Sequence, residues 1–566
     1  MYQPNTTPHR SSYFDYEIYP FKRSPEAGAA TLTHHPVVVI GAGPIGLVLA
    51  IQLAQQGVAP VLIEAEAQVC GGSRALALTR RSMEIFEQCG VAERVLEGAL
   101  LWKDGYSYYK GKPVHHMKLS FAEDDKFYPM TNLAQCDIEK ILLDRVFELG
   151  IDVRFQTKLV AQEAHDEGVT LTLDTPEGGY RIDAQWLVAC DGARSTVRKL
   201  QQLRFEGESF ESRFVIADFR IDLDEPAGRR AYFDPPWLPG QTALMHKAPK
   251  GVWRLDYQVP EGMSDEAALD DAKIRKNIKD HLAYIGVHLP WEVEWTTIYK
   301  PNALTLGSYA NGRTFYCGDA AHLLPVFGVR GMNTGVQDSL NLAWKLAAVL
   351  QGRADAKLLD SYSVERVADA RQICVEASRS TRMYAPPSEG FRIMQQAVLS
   401  LCLDHAFPQD LLHWRTSHPI DYLASPLTQI DASGAQFESG PRPGAPARNV
   451  RLADGTYLFD HLARSFNVLM FGTDAVTWER AAQDVKRLNA EGIPVRLVAV
   501  RSEGERPTHA DVFVLDANGH VASMWGATED AVYVMRPDQH ICARWRVGSA
   551  ANVADAVHQV LRGGRA

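Results

Sequence analysis

Residues 36–46, PVVVIGAGPIG, decide the fold of this chain. Apolar residues typical of a β-strand lead into a glycine-rich turn, and a long apolar-rich helix follows. In a dinucleotide-binding βαβ unit, Gly41 allows the tight turn, Gly43 lets the backbone approach a pyrophosphate, and Gly46 lets the helix lie close to the strand. The pyrophosphate would sit at the helix N-terminus, where free N–H groups and the helix dipole favour an anion.

The residues around this turn support the same interpretation. We predict that the helix runs to about Gln56 and stops at Gly57, a normal C-terminal glycine. A second strand, 60–63, ends at Glu64, where an acidic side chain accepts hydrogen bonds from both ribose hydroxyls of an adenosine. The alternative is a glycine-rich turn in an ordinary α/β sheet, and the strand, the helix and Glu64 together argue against it.

Size and composition restrict the other classes of protein. A chain of 566 residues should hold two to four domains. The net charge of −10 argues against a nucleic-acid partner, and no apolar stretch reaches the length of a membrane span. The eight cysteines form no CxxC pair and have no metal-ligand spacing, so we expect no metal site and a reducing, cytoplasmic location.

The first 34 residues are polar and aromatic and lack the apolar core of a secretory signal. We interpret residues 1–34 as an N-terminal extension, either a disordered leader or an arm that packs on the body or on a second subunit. An ordered arm is slightly favoured because its large apolar residues would otherwise face water. These residues are Tyr13, Phe14, Tyr16, Ile18, Tyr19 and Phe21.

Two further segments place an aspartate at the end of an apolar strand. Residues 186–198, WLVACDGARSTVR, put Asp191 after one strand, and residues 313–346 put Asp319 after another. Ligands in open α/β sheets bind outside the carboxyl ends of strands. Taken alone, the first segment also fits an Asp-Gly turn before a solvated helix. Asp319 is well placed to hold a polyol hydroxyl, and the helix that begins near residue 332 would stabilise a negative charge.

The three segments together resemble the three fingerprints of the FAD-dependent aromatic hydroxylases, the class A flavoprotein monooxygenases. The third, GDAAH…P…G…GMNTG..D..NLAWKL, is the most specific sequence in the chain. The resemblance covers about residues 35–380, and the overall length is most similar to the phenol and 3-(3-hydroxyphenyl)propionate hydroxylase branch. The chain departs from the family where Val326 replaces a second proline and Val329-Arg330 replace Gly-Gln. Arg330 is therefore expected to bring a cation beside the flavin or the substrate.

The resemblance implies a set of FAD contacts. Arg74 would contact FAD from the loop after the second strand, and Gln135 would lie along the FAD chain. Asp191 would serve both FAD and the incoming nicotinamide cofactor, and Asp319 would hold the ribityl chain. Backbone groups of 331–333 would face the pyrimidine end of the flavin. The full set is Gly41, Gly43, Pro44, Ile45, Gly46, Glu64, Ala65, Arg74, Gln135, Leu159, Asp191, Asp319, Gly331, Met332 and Asn333.

The resemblance also implies a reaction, in which the flavin supplies the hard chemistry and the protein supplies placement and electrostatics. NADPH or NADH would reduce FAD, O2 would add to give a flavin hydroperoxide, and a phenolic substrate would attack its outer oxygen. The protein must keep water from the hydroperoxide and must offer the phenol a base or a hydrogen-bond acceptor.

Residues 205–304 are expected to form a β-rich substrate domain that roofs the flavin. Strands are predicted over 213–221, 242–246, 252–259 and 293–299. The resemblance places Pro325 near the reactive edge of the flavin. The candidates for catalytic and substrate contacts are Pro325, His246, Tyr257, Arg254 and Tyr232, although a tyrosine in a sheet is often a core residue and an arginine often forms a surface ion pair.

The predicted fold class is α/β, with a Rossmann-like FAD-binding domain, an inserted β-rich substrate domain and a C-terminal thioredoxin-like domain. The FAD-binding domain takes residues 35–204 and 305–385, and a helical segment and linker takes 386–445, with a Gly/Pro-rich connection over 434–449. Residues 446–566 would form the thioredoxin-like domain. Cys542 stands alone there, so we interpret this domain as structural or as a dimer contact.

Other functions remain open. The same fold would suit an epoxidase, a polyketide-tailoring hydroxylase or a decarboxylating hydroxylase, whereas the Trp-rich signature of flavin halogenases is missing. A non-catalytic flavin-binding interaction protein is an alternative of another class. The chain has no second GxGxxG unit and no redox CxxxxC pair, which argues against a disulfide reductase. The expected partners are a phenolic substrate, O2 and, for a homodimer, a second copy, with no nucleic acid or membrane.

Overall fold

The computed structural model describes residues 1–29, 31–412, 417–429, 437–528, 530–547 and 549–564. The first strands are, in chain order, β1 (His34–Ile40), β2 (Pro60–Ile63), β3 (Ala77–Thr79), β4 (Leu100–Trp102), β5 (Asp104–Tyr109), β6 (Lys112–Lys118), β7 (Met130–Asn132), β8 (Asp152–Arg154), β9 (Lys158–His165), β10 (Gly168–Thr175), β11 (Gly178–Ala189), β12 (Glu206–Ser209), β13 (Phe214–Ile221), β14 (Arg229–Phe233), β15 (Thr242–Lys247), β16 (Val252–Gln258), β17 (Trp291–Tyr299), β18 (Asn302–Thr305), β19 (Ala310–Asn311), β20 (Thr314–Tyr316) and β21 (His322–Leu323). The helices that accompany them are α1 (Pro44–Gln55), α2 (Arg80–Cys89), α3 (Ala92–Gly98), α4 (Gln135–Glu148), α5 (Thr196–Leu200), α6 (Asp265–Ala268), α7 (Asp271–Tyr284), α8 (Gly331–Leu350), α9 (Asp360–Tyr384) and α10 (Glu389–Leu401).

The predicted strand–turn–helix unit lies at the centre of an eight-stranded main sheet. The strand order is β19-β20-β11-β1-β2-β8, with β10 paired to β11 and β9 paired to β10. The five strands from β20 to β8 run parallel, and β1 is buried from Val37 to Ile40, as expected for a central parallel strand. Because β20, β11 and β1 are neighbours, their carboxyl ends bring residues 317–319, 190–191 and 41 to one edge of the sheet.

A seven-stranded roof sheet has the order β17-β13-β16-β15-β14-β5-β6, and its pairings are antiparallel except that of β14 with β5. The four strands predicted within residues 213–299 are confirmed, with ends shifted by at most two residues. The expectation that residues 205–304 alone build the roof is too narrow, because the β5–β6 hairpin over 104–118 extends the same sheet. Two small three-stranded sheets, β12-β18-β21 and β3-β7-β4, complete this part of the chain.

The two long helices α9 and α10 are separated by a short break. α9 ends at Tyr384, and α10 begins at Glu389. Pro386 and Pro387 fall between them, and proline cannot donate the backbone hydrogen bond that a continuous helix requires. Ser388 then caps α10, because its Oγ accepts the Phe391 N–H at 3.5 Å.

The C-terminal part forms a five-stranded sheet with the order β24-β23-β22-β25-β26. Its elements are β22 (Phe466–Phe471), α11 (Ala475–Ala490), β23 (Val495–Arg501), β24 (Val512–Leu515), α12 (His520–Met524), β25 (Ala531–Met535), β26 (Ile541–Arg546) and α13 (Val553–Leu561). β25 and β26 form an antiparallel hairpin at one edge of this sheet. Part of the predicted connection over 434–449 lies outside the described residues, namely 434–436.

The N-terminal extension follows the surface of the body rather than standing apart from it. The Tyr2 N–H donates to the Thr175 carbonyl at 3.2 Å, and the Tyr19 N–H donates to the Ala67 carbonyl at 2.7 Å. The Tyr16 hydroxyl accepts the Gly72 N–H at 2.9 Å. These contacts support the interpretation of this extension as an arm that packs on the body, and they fasten it to the loop that follows β2.

A buried ion network joins the C-terminal sheet to α8 and α9. The Arg536 guanidinium donates to both oxygens of Glu365, at 2.6 and 3.0 Å, and to Asp538. Lys345 donates to Glu365 at 2.7 Å, and the Trp344 indole donates to Asp538 at 3.1 Å. Although burial opposes it, Arg536 and Lys345 lower the pKa of Glu365. The charges are thus paired within a region from which water is excluded.

The substitution Glu365→Gln should destabilise the protein by about 3–5 kcal/mol, because it leaves Arg536 and Lys345 buried without their shared counter-charge. The matched control is Glu163→Gln, which removes the exposed partner of Arg181 and should change stability by less than about 1 kcal/mol. Thermal unfolding of the full chain measures both. Equal midpoints for the two variants would contradict a stabilising role for the network.

Candidate functional site

The three glycines of the turn after β1 differ in the space around them: two lie against backbone atoms, and the third faces open space. A Cβ on Gly41, whose φ is +104°, would lie 2.5 Å from the Cys190 carbonyl oxygen. A Cβ on Gly46 would lie 2.0 Å from the Gly41 carbonyl oxygen. A Cβ on Gly43 would meet nothing within 4 Å. Gly41 and Gly46 are therefore required by packing, whereas Gly43 faces open space in which a ligand can approach the backbone.

The start of α1 adds an anion-binding character to that open space. Gly43 is the N-cap, no side chain caps the helix, and Pro44 occupies the first position. The unpaired N–H groups of the following residues, Ile45 among them, therefore stay available to an anion.

Glu64 stands at the carboxyl end of β2, beside the glycine turn. Its Oε2 accepts the Ala42 N–H at 2.6 Å, and its Oε1 accepts the Glu66 N–H at 2.8 Å. Burial raises the pKa of Glu64 to about 7, although these two N–H groups lower it. This position, with Ala65 next in the chain, is compatible with the predicted contact to a ribose.

Asp191 follows β11 and caps the short helix α5. Its Oδ2 accepts the Thr196 N–H at 2.6 Å and the Val197 N–H at 3.2 Å. Its Oδ1 is buried and has no hydrogen-bond partner within the described part of the chain. Burial raises the pKa of Asp191. An unpaired buried carboxylate oxygen at the end of a parallel strand is a natural acceptor for a ligand hydroxyl.

Asp319 lies in a 3-10 turn, Gly318–Ala320, after β20. Its side chain is accessible to water, although the protein around it raises its pKa by desolvation. A Cβ on Gly331 would lie 4.0 Å from the Asp319 carboxylate, so this acid stands beside the start of α8. No side chain caps α8. The helix terminus and the carboxylate thus offer a donor and an acceptor to the same ligand.

The Asp319 turn is held from below by Asp338 of α8. Asp338 accepts the Gly318 N–H at 3.0 Å and hydrogen-bonds the His322 Nε2 at 2.8 Å. Arg366 donates to the other oxygen of Asp338 at 2.6 Å. Although burial opposes it, Arg366 and His322 lower the pKa of Asp338. The carboxylate therefore remains a charged acceptor inside the protein.

The loop that carries Arg74 is fixed from several sides. Gln135, at the start of α4, accepts the Ala75 N–H at 3.0 Å and donates to Glu139 at 2.8 Å. The Arg254 guanidinium donates to the carbonyls of Ser73 and of Arg74, the latter at 3.1 Å. The Arg74 side chain itself is exposed. The backbone is thus held while the arginine side chain stays available to a ligand.

The side chains of Asn333 and Leu159, two residues of the predicted FAD set, are engaged within the protein. The Asn333 Oδ1 accepts the Thr79 N–H at 2.9 Å and the Ser82 hydroxyl at 2.6 Å, and its Nδ2 donates to Ala77 and Val329 carbonyls. The Asn333 side chain therefore ties α8 to β3 and α2, and its backbone alone remains for a ligand, as does that of half-buried Met332. Leu159 is buried in β9 within the main core.

The roof sheet has two faces with different roles. An outer face packs on α7 through an apolar cluster that includes Trp253 and Leu255. An inner face carries Asp218, His246, Arg254 and Asp256, since side chains alternate along each strand. The contacts of Arg254 to Ser73 and Arg74 show that the inner face is turned toward the loop that carries Arg74.

Tyr257 and Tyr232 belong to the outer face, which corrects their choice as substrate contacts. Tyr257 lies one residue after Asp256, so its ring points to the opposite side of the sheet, where its centroid is 5.9 Å from that of Trp237. Tyr232 packs edge-on against His281 at 4.7 Å. The two candidates are core residues because side chains alternate between the two faces of a strand, which turns these two away from the loop that carries Arg74.

Arg254 and His246 lie on the inner face, with different surroundings. The Arg254 guanidinium pairs with both oxygens of Asp218, at 2.8 and 3.0 Å, and is buried. Its donors are therefore engaged in positioning the loop before β3. The His246 Nε2 lies 3.9 Å from the Asp256 Oδ2, and burial lowers the pKa of His246 well below its usual value. His246 is thus a neutral imidazole next to a carboxyl group.

The loop before α8 forms the other wall of the space beneath the roof. Pro325 is buried in it, and Phe327 stacks on Tyr384 at 4.5 Å and meets Phe214 of β13 edge-on at 5.3 Å. The Tyr299 hydroxyl of β17 donates to the Leu324 carbonyl at 3.1 Å. The roof sheet thus rests directly on the loop that contains Pro325.

Arg330 does not offer the free cation that the sequence suggested. Its guanidinium is buried, donates to the Phe327 carbonyl at 3.2 Å and lies 3.6 Å from Glu376 of α9. Burial lowers its pKa. The preceding Val329 has a φ of +55°, a conformation that strains a β-branched residue. The replacement of Gly-Gln by Val-Arg therefore changes the packing beneath the loop.

Sequence reasoning missed Asp338, His322 and Asp256. The first two lie inside the third fingerprint, but nothing in the sequence shows that their side chains meet. Asp256 had a signal, because the β16 sequence VWRLDYQ alternates and places Arg254, Asp256 and Gln258 on one face.

Within the described ranges, no group of histidine, cysteine, aspartate or glutamate side chains is arranged to hold a metal ion. No described helix combines the length and the apolar character needed to cross a membrane.

Comparisons with known proteins agree with the geometry. The FAD-binding domain family matches residues 34–377, and the HcaD C-terminal domain family matches residues 445–560. A 3-(3-hydroxy-phenyl)propionate/3-hydroxycinnamic acid hydroxylase of Shigella sonnei is 27% identical over 519 residues, which cover 90% of this chain and 91% of that protein. A protein of the same name from Mycolicibacterium smegmatis is 25% identical over 541 residues and covers 93% of each chain.

Solved structures show the same overall fold. A ternary complex of aklavinone-11 hydroxylase with FAD and aklavinone has a TM-score of 0.75 at 25% identity and covers 94% of this chain and 99% of that one. The flavin-dependent monooxygenase PieE, in complex with FAD and substrate, has a TM-score of 0.75 at 23% identity and covers 93% of this chain and 99% of that one.

The glycine turn provides a matched test of ligand contact against packing. Gly43→Ala should fold normally and bind FAD about ten-fold or more weakly, since the new methyl group occupies the open side of the turn. Gly46→Ala should instead destabilise the apoprotein, because its Cβ would collide with the Gly41 carbonyl. Circular dichroism and FAD titration measure the two effects. Unchanged FAD affinity in a folded Gly43→Ala variant would exclude the pyrophosphate role.

The raised pKa of Glu64 predicts a pH-dependent affinity for FAD. Below about pH 7 the half-buried carboxyl group is mostly protonated. Ribose hydroxyls that donate to it favour the carboxylate, so binding should release a proton. FAD affinity should therefore rise with pH between 6 and 8. Calorimetry in buffers of different ionisation enthalpy measures the proton release. Glu64→Gln should bind more weakly and without this pH dependence; a persisting dependence would assign it to another group.

Proposed function

This chain belongs to the FAD-binding domain family, and we propose that it is an FAD-dependent monooxygenase that hydroxylates a phenolic aromatic substrate. One observation carries the proposal. Glu64, Asp191 and Asp319 stand at the carboxyl ends of parallel strands, next to an open glycine turn and a second uncapped helix, and the roof sheet covers the edge beside them. Membership of this family and the likeness to flavin-dependent monooxygenases identify the chain as an enzyme that uses FAD.

The residues present fit FAD. The open side of Gly43 and the uncapped α1 suit the pyrophosphate, and Glu64 suits the adenosine ribose. The unpaired Oδ1 of Asp191 and the accessible carboxylate of Asp319 suit hydroxyl groups of the cofactor. Backbone groups at the start of α8 would receive the flavin ring, and a partial positive charge there stabilises negative charge on it.

The finer part of the proposal concerns the reaction: FAD held by these residues would supply the oxygen-transfer chemistry that hydroxylates the ring, with NADPH or NADH as the reductant and O2 as the source of oxygen. The protein has to exclude water and position the phenol. The roof sheet supports both tasks, because it contacts the Arg74 loop through Arg254 and the Pro325 loop through Phe214. The inner face between these contacts would hold the substrate.

The substrate class is supported by the relatives. The Shigella and Mycolicibacterium proteins are named as hydroxylases of 3-(3-hydroxy-phenyl)propionate and 3-hydroxycinnamic acid, so we propose a phenolic aromatic acid for this chain. The aklavinone-11 hydroxylase favours a second candidate, a larger polyketide-type phenol. Both are phenols hydroxylated on the ring, and they differ in the volume that the space beneath the roof must hold.

The domain boundaries given above form part of the proposal, as does a thioredoxin-like fold for residues 446–566. The order β23-β22-β25-β26, with α11 between the two parallel strands and α13 at the end, supports that fold. Cys542 is buried, and its Sγ donates to the Val534 carbonyl at 3.3 Å. We propose a structural role for this domain, with a homodimer contact as the further expectation.

The function is tested with the purified FAD-loaded protein. Addition of 3-(3-hydroxyphenyl)propionate under air should accelerate NADH or NADPH oxidation, with a hydroxylated product found by mass spectrometry and little peroxide released. Asp319→Asn should weaken FAD retention and abolish turnover, because it removes the charged acceptor beside α8. A panel that adds polyketide-type phenols separates the two substrate classes. A yellow protein that oxidises neither nucleotide with any phenol would refute the proposal.

A further inference from the structure

We propose that Asp256 is the base that accepts the phenolic proton of the substrate, with His246 as its neutral neighbour. The inference rests on the proposed function and assigns a chemical role within it. It starts from a half-buried carboxyl group on the inner face of the roof sheet, one oxygen of which is buried without a hydrogen-bond partner in the described ranges.

Asp256 has an unused acceptor. Its Oδ1 is buried and has no hydrogen-bond partner in the described ranges, and its Oδ2 lies 3.9 Å from the His246 Nε2, beyond a hydrogen bond. Its cross-strand neighbours are Leu244 and Ile216, both buried and apolar. A buried carboxylate oxygen without a hydrogen-bond partner is costly for folding, so the Asp256 Oδ1 points to a ligand group that completes it.

The position of Asp256 is defined by two contacts of the roof. Arg254, two residues before it on β16, binds the Ser73 and Arg74 carbonyls. Gln258, two residues after it, pairs with Phe214, whose ring meets Phe327 of the loop that contains Pro325. Asp256 therefore faces the gap between the two loops to which the resemblance assigns the flavin.

A second unpaired acceptor lies on the same face. The Gln258 Oε1 is buried and has no hydrogen-bond partner among the residues that the structure describes. Two unpaired acceptor oxygens, one strand repeat apart, select a ligand that brings hydrogen-bond donors. A phenol hydroxyl is such a donor, and a second ring hydroxyl or an amide N–H would donate to the Gln258 Oε1.

The other ionisable groups near Asp256 are paired, face away from it or are held neutral. Arg254 is paired with Asp218, and Arg229 of the neighbouring strand β14 contacts the Tyr384 ring. Arg230, on the same strand, faces the outer side. His246 is kept neutral by burial. Burial raises the pKa of Asp256 to about 7, so its proton exchange falls near neutral pH.

The step is a simple proton transfer. The phenol O–H bond breaks, the proton goes to an Asp256 oxygen, and the electron pair stays on the phenolate oxygen. The phenolate is a stronger ring nucleophile than the phenol, and the charge moves from the carboxylate to the ring without a net change in the buried site. A base with a pKa near the operating pH is suited to this task.

The substitution Asp256→Asn tests the proposal, because it keeps the shape and removes the base. FAD binding and flavin reduction by NADH or NADPH should be unchanged, whereas the rate of phenol hydroxylation should fall by about 100-fold and peroxide release should rise. The wild-type hydroxylation rate should increase with pH through about 7, and the variant should lack that rise. The matched control Tyr257→Phe, on the outer face of the same strand, should behave as wild type.

A series of phenols separates a base from a structural group. More acidic, fluorinated phenols need less help to lose the proton, so the deficit of Asp256→Asn should shrink along the series. A constant deficit, or a preserved pH dependence, would overturn the proposal. Should Asp256→Asn fail to fold, Asp256→Glu must retain the pH-dependent rise at a lower rate, and its loss would count against the base. Absence of hydroxylation by the wild type would instead refute the proposed function.

Discussion

Two close backbone contacts shape the glycine turn and the sheet edge beside it. Gly46 in α1 lies against the Gly41 carbonyl, and Gly41 lies against the Cys190 carbonyl at the end of β11. No side chain fits at either place, so helix and strands approach more closely than ordinary packing allows. That approach aligns the start of α1 with the carboxyl ends of β1 and β11. Asp191 and the Asp319 turn then reach the same edge because their strands are neighbours.

Buried ion pairs, in addition to apolar packing, stabilise this edge of the main sheet. Asp338 holds the Gly318 N–H and is itself paired with Arg366, while Glu365 one residue earlier binds Arg536 of the C-terminal sheet. Buried ion pairs cost desolvation energy and add stability only when their geometry and hydrogen bonds are complete. Their value here is positional: consecutive residues of α9 connect the cofactor turn on one side and the C-terminal sheet on the other. The C-terminal domain is thus part of the support of the site.

Local signals made the cofactor side predictable from sequence. The glycine spacing, the Glu64 position and the two strand-ending aspartates each act within a few residues, so the strands and the helix followed directly. The roof was harder. Four of its seven strands were predicted, whereas β14 and the β5–β6 hairpin were not, and the pairing of β5 with β14 is a long-range contact. The choice of Tyr257 overlooked the alternation that turns it outward. Arg330 was misjudged because its partner, Glu376, lies on another helix.

Arg254 shows why residue type alone does not reveal a role. An arginine in the roof sheet suggests contact with the substrate. The Arg254 guanidinium instead donates its hydrogen bonds to Asp218 of the adjacent strand and to two carbonyls of the loop that carries Arg74. The pair is buried, so its members cannot exchange partners with water at low cost. Arg254 therefore couples the roof to the loop that the resemblance assigns to the cofactor. Any displacement of that loop must move β16, and with it Asp256, which lies two residues farther along the strand.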